Sequence, residues 1–168
     1  WGKIGIEVRG SSSASWSKKQ YGIETREADG SNLNVSLMGL PEENDWVLNA
    51  PFIDKSLMRN VLIFALARGM GRYASRTRYF ELILNGEYRG VYVLFEKIKR
   101  DKNRVTITDL NTNDNSGDAV TGGYIIKVDK PGDDRFKSLF RPFPERLRDV
   151  YYQYHFPKDD EITTAQKS

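Results

Sequence analysis

The chain has 168 residues, 39% of them hydrophobic and 29% charged, which suits one globular domain with a core of its own. Cysteine is absent, which excludes disulfides, thiolate metal sites and cysteine nucleophiles, and no run of about 18 apolar residues is available for a membrane-spanning helix. The net charge of +3 is uneven: residues 1–104 hold 17 Lys/Arg against 12 Asp/Glu, and residues 105–168 hold 9 against 11. An anionic partner is therefore expected on the first part, while the lack of any Lys/Arg block or RNA-binding signature argues against nucleic acid.

The chain opens at Trp1-Gly2-Lys3-Ile4, read here as a processing boundary. No signal peptide is visible within these residues. Gly5 to Arg9 and Tyr21 to Arg26 alternate apolar and polar residues as half-buried strands do. The Gly-Ser-rich "GSSSASWSKK" joins them. Ala28 to Asn32 is a turn built on Asp29-Gly30, and Asp45 to Ala50 reads as a short strand. A helix is expected from Asp54 to Gly71. Asp54 would cap it, and Leu57, Met58, Val61, Leu62, Ala65 and Leu66 form an apolar stripe that Ile63 and Phe64 widen, so the helix is expected to be largely buried.

Tyr79 to Lys99 is a hairpin whose tip, Asn85-Gly86, tolerates the positive φ values of a two-residue turn. Arg104 to Thr108 is expected as a short strand, Asn111 to Gly122 as a polar mobile loop, and Gly123 to Lys130 as a further strand. The aromatic run from Tyr151 is less regular. Asp159-Asp160 before "EITTAQKS" reads as a helix cap followed by the first turns of a helix that the chain does not continue. The pattern is α+β: an antiparallel sheet packed on one main helix. It is expected to be one domain over 1–168 with both ends cut, a β-rich portion over 1–110 and the start of a following portion over 123–168.

Three places could carry chemistry. A loop between antiparallel strands can aim backbone N–H groups and the hydroxyls of Ser11 and Ser12 at phosphate oxygens, with Lys18 or Lys19 completing the site. Strand alternation would let only one of these lysines face it. The loop is neither a Walker A nor a GxGxxG motif, and a plain polar turn is the competing reading. Arg59 either binds an anion in a cleft or pairs structurally with Asp54. Glu96 either pairs with a lysine across the sheet, as kinases orient their phosphate-binding lysine, or is an ordinary strand charge. His155 is the only histidine and has no second ligand nearby in the sequence, so a metal or triad role is not expected. Tyr151, Tyr152 and Tyr154 are expected to pack. Asp129 and Asp133-Asp134 read as loop surface.

Taken in order, "VRGSSSASWSKKQYGIE", "LNAPFIDKSLMRNVLIFALARGMG" and "YFELILNGEYRGVYVLFEKIKRDKNRV" resemble the spore coat protein H kinase-like (CotH) family. Its marks are an Arg-Gly-Ser/Asn-Ser loop followed by Lys-Lys and an aromatic, an Asp-x-Ser-x-x-Arg helix start, and an Asn-Gly-x-Tyr-x-Gly-x-Tyr hairpin leading to a Glu. "GGYIIKVDK" and "YHFPKDDEITTAQ" extend the likeness toward the secreted bacterial branch, so that it covers nearly the whole chain from Ile4.

The resemblance implies an atypical kinase fold that transfers the γ-phosphate of ATP, with a divalent metal (Mg or Mn), to Ser residues of coat proteins. The loop from Arg9 to Lys19 would cover the phosphates, Lys18 or Lys19 would bind them, Arg59 would stabilise phosphate charge, and Glu96 would orient the lysine or link to metal. The family's Trp-Asp-x-Asp-like acidic motif follows none of Trp1, Trp16 and Trp46. The fragment alone is therefore expected to be inactive. Two function classes follow: the nucleotide-binding part of a protein kinase, or a non-catalytic adhesion or structural module of a larger exported protein. Either would act outside the cell, at its surface or on a spore, on a protein substrate or surface partner.

Overall fold

The computed structural model describes residues 2–129, 135–139 and 149–167, in two compact units, Trp1–Ile98 and Lys99–Ser168. The first unit contains β1 (Lys3–Arg9), β2 (Gln20–Arg26), β3 (Asp45–Asn49), α1 (Arg59–Gly69), β4 (Thr77–Leu84) and β5 (Glu87–Glu96). The strands form one antiparallel sheet in the order β1-β2-β3-β5-β4, which gives the α+β class the sequence pattern implied.

Alternation divides the side chains between the two faces of this sheet. One face carries the core: Ile23, Trp46, Leu48, Tyr92 and Leu94, joined by Leu40 and Ala50. Trp46 is fully buried, and its indole N–H donates to the Glu43 carbonyl at 3.1 Å, so burial leaves that polar group satisfied. The other face carries the buried Val47 and Val93, and Phe95 meets Phe64 of α1 edge-on at 5.3 Å.

The helix differs from expectation in two ways. It begins at Arg59, because Leu57 adopts φ 61 and interrupts any helical run from Asp54. Asp54 still works as a cap from outside: its carboxylate accepts the N–H groups of Ser56 (3.1 Å) and Arg59 (2.9 Å). No residue of α1 is buried, and Leu62, Ile63 and Leu66 are about half exposed. The helix is apolar nearly all round, and only the side carrying Phe64 meets the sheet.

The β4–β5 hairpin turns as expected, with Asn85 at φ 53 and Gly86 at φ 80. A Cβ on Gly86 would meet nothing within 4 Å, so the only cost of Gly86→Ala is backbone strain. The substitution should lower stability by about 1 kcal/mol, read from urea unfolding.

The second unit contains β6 (Ile125–Lys127), β7 (Arg135–Lys137), β8 (Tyr151–Phe156) and α2 (Thr164–Lys167), with the strands antiparallel in the order β6-β8-β7. The aromatic run is thus the central strand of this small sheet. Tyr152 and Tyr154 pack on Phe136, at 5.7 and 4.7 Å between ring centres.

Arg104 to Thr108 is not a strand; its one ladder contact is an isolated bridge from Val105 to Arg100. The strand expected over Gly123 to Lys130 is confined to Ile125–Lys127, and Lys130 lies outside the described residues. Asp159-Asp160 does not cap α2. Thr163 does, in a capping box: its hydroxyl accepts the Gln166 N–H at 3.3 Å, and the Gln166 amide oxygen accepts the Thr163 N–H at 3.0 Å. The Gln166 side chain also donates to the carbonyls of Asn111 and Asp114, which fastens the loop expected to be mobile. Asp129 is exposed and lies 3.6 Å from Lys127; Asp133 and Asp134 lie outside the described residues.

Candidate phosphate-binding site

The loop between β1 and β2 is folded tightly. Gly10 has φ +106, and a Cβ there would stand 2.1 Å from the Ser13 hydroxyl, so the turn out of β1 requires glycine. Ser12–Ser15 form a single 3₁₀ turn, with the Ala14 N–H donating to Ser11 O (3.1 Å) and the Trp16 N–H to Ser13 O (3.2 Å). Trp16 rests against Phe52, 5.8 Å between ring centres. Ser11, Ser12 and Arg9 are exposed around this turn, and Arg9 has no ion-pair partner among the described residues.

Lys18 and Lys19 precede β2, so strand alternation does not sort them. Their acceptors do. The Lys19 ammonium donates to Ala14 O at 2.7 Å and braces its own loop. The Lys18 ammonium crosses to β5, donating to Val91 O at 2.7 Å with its nitrogen 4.8 Å from the centre of the Tyr92 ring. That carbonyl is available for a local reason. The β3–β5 register runs from Trp46↔Glu96 to Asn49↔Val93. Continued, it would set Pro51 against Val91, and proline has no N–H to donate.

Burial holds the Lys18 pKa below its ordinary 10.5. No carboxylate partners Lys18 among the described residues, and the three donors of an ammonium exceed its one carbonyl acceptor. The group can take an anion, and an anion would favour its charged form.

Glu96 is placed elsewhere. Its side chain is fully buried, and its two oxygens accept from Arg76, one from the guanidinium and one from the backbone N–H, both at 2.8 Å. The cross-sheet lysine the sequence suggested is not its partner in the loop: Lys18 meets β5 at Val91, and five residues of strand place Glu96 about 16 Å further along. Arg59, at the start of α1, has a side chain 80% exposed and stands 3.5 Å from Asp54. The Asp54 pKa is lowered first by the Ser56 hydroxyl and also by the N–H groups of Arg59 and Ser56.

The structure therefore gathers Arg9, Ser11, Ser12, Lys18 and Lys19 about one loop, sets Glu96 further along β5 against Arg76, and leaves Arg59 exposed beside Asp54 at the start of α1. Sequence reading missed Pro51, Gly90, Val91 and Tyr92; the signal was the Gly-Val-Tyr that follows the hairpin tip.

The family model described as CotH kinase protein matches residues 6–167. The chain belongs to the CotH kinase family. No curated protein matches it. No helix among the described residues is long and apolar enough to cross a membrane. In this CotH chain the Lys18 environment fits a phosphate: a partly desolvated cation with donors to spare and no carboxylate beside it among the described residues. The described residues contain no group of three or more His, Asp or Glu side chains placed to hold a metal ion.

Lys18 loses its proton in the folded protein at a lower pH than in the unfolded chain, so its contribution makes stability rise with pH between the folded value and 10.5, and leaves it flat below. Titration of 15N-labelled lysine ammonium groups should show Lys18 with a midpoint below 10.5. A midpoint at or above that value would contradict the burial described.

Proposed function

We propose that this chain forms the nucleotide-phosphate site of an ATP-dependent protein kinase that phosphorylates Ser residues of coat or surface proteins outside the cell. The observation that carries the reading is the Lys18 ammonium, held at the mouth of the Gly10–Lys19 loop by Val91 O and Tyr92 and without a carboxylate partner among the described residues.

Phosphoryl transfer depends more on cations positioned around a polyanion than on any enzyme nucleophile, and an ATP phosphate is the ligand such a lysine suits. Arg9 and the hydroxyls of Ser11 and Ser12 line the loop that would lie over the phosphates. Lys19 keeps that loop in shape through Ala14 O. The exposed Arg59 guanidinium is available to phosphate charge. Glu96, neutralised by Arg76, acts at most through the position of β5. A bound divalent ion would offset the charge of the phosphates.

Calorimetric titration of the chain with Mg-ATP tests this. Lys18→Met should weaken binding about tenfold or more, the worth of one charge-assisted hydrogen bond, and Lys19→Met should weaken it less. Unchanged affinity in a folded Lys18→Met protein, or no binding by the unaltered chain, would overturn the phosphate site and favour the non-catalytic surface module.

A further inference from the structure

We infer that Tyr92 is the positioning residue of this site, fixing the Lys18 ammonium for a phosphate oxygen of a nucleoside di- or triphosphate; the inference rests on the phosphate reading of Lys18.

Tyr92 is 1% exposed, and its ring is wedged in the core between Tyr21 (6.4 Å) and Phe80 (6.0 Å). It is therefore a fixed reference. It holds the lysine segment at two points. Its hydroxyl donates to the Lys19 carbonyl at 2.9 Å, which sets the main chain. Its ring lies 4.8 Å from the Lys18 ammonium, which sets the side chain. The positive charge favours the face of an aromatic ring, so the ring guides the ammonium without consuming an N–H donor. Val91 O takes one donor from the side.

The neighbouring Gly90 places no side chain against the ammonium. A Cβ there would meet only the Lys18 ammonium, at 3.4 Å, and Gly90 itself sits at φ +81. A side chain at this position would thus stand next to the ammonium, in space that glycine leaves to an incoming oxygen. The three consecutive residues Gly90, Val91 and Tyr92 of β5 accordingly do different work: access, hydrogen bond and orientation.

The test is a double-mutant cycle on ATP affinity, using Tyr92→Phe and Tyr92→Leu with and without Lys18→Met, each protein checked for folding by circular dichroism. Tyr92→Phe keeps the ring and core packing and should weaken binding about two- to tenfold through loss of the Lys19 bond. Tyr92→Leu removes the ring as well and should weaken it about tenfold or more. In the Lys18→Met background neither change should weaken binding further, a coupling that a merely structural tyrosine would not show. Losses of equal size in both backgrounds, or wild-type affinity in Tyr92→Phe, would overturn the positioning role and leave the Lys18 site standing. No loss with Lys18→Met alone would overturn the phosphate reading and this inference with it.

Discussion

The hydrogen bond from the Lys18 ammonium to the Val91 carbonyl joins the two parts of the sheet on which the site depends. Val91 belongs to β5, which is paired to β3 and β4, while Lys18 belongs to the loop that enters β2. Because β3 ends at Asn49 and Pro51 has no N–H to offer, the ladder leaves an acceptor where the lysine can reach it. Tyr92 then fixes both the ammonium and the lysine main chain to the core. The cation is positioned by hydrogen bonding and by a ring, with no carboxylate among the described residues to neutralise it. This separates it from the surface ion pairs of the same chain, which contribute little each.

The second charged centre on β5 follows the opposite logic. Glu96 is buried without exposure and receives two hydrogen bonds from Arg76. A buried carboxylate is tolerated when it is paired and bonded in this way, and removing its partner would leave the charge buried and uncompensated. The pair ties the start of β4 to the end of β5. Arg76 and Glu96 are therefore read as fixing the strand, and Lys18 as the group left able to bind.

Much of the first unit was legible in the sequence because its strands alternate. "YGIETR" keeps one face on the core, and Asn85-Gly86 turns the hairpin as expected, but "GIEVR" is an edge strand whose Ile6 and Val8 stay exposed despite the same alternation. The errors have local causes. The apolar residues of α1 predicted burial, but periodicity reports how apolar a helix is and not how many sides meet a neighbour. Asp54 was a sound capping residue whose helix was delayed by the positive φ of Leu57.

In the second unit, "YYQYHF" did not alternate in polarity because aromatic rings serve both faces of a small sheet, so β8 was missed. The capping box of Thr163 and Gln166 was passed over for the more acidic Asp159-Asp160. At the site, the loop and its lysines were visible from composition. The choice between Lys18 and Lys19 was not, because it depends on a carbonyl 73 residues away in the chain. Glu96 was read either as a lysine's partner across the sheet or as an ordinary strand charge, because strand neighbours are not specified by sequence separation; the fold buries it with Arg76 bonded to it.

The central claim is that Lys18 is a partly desolvated cation waiting for phosphate, and its own titration in the presence of nucleotide tests this most directly. Followed by 15N-lysine resonance with and without saturating Mg-ATP, the Lys18 midpoint should start below 10.5 and move upward when the anion binds, because an opposite charge favours the ammonium. A Lys18 midpoint unmoved by nucleotide, while another lysine shifts, would contradict the account.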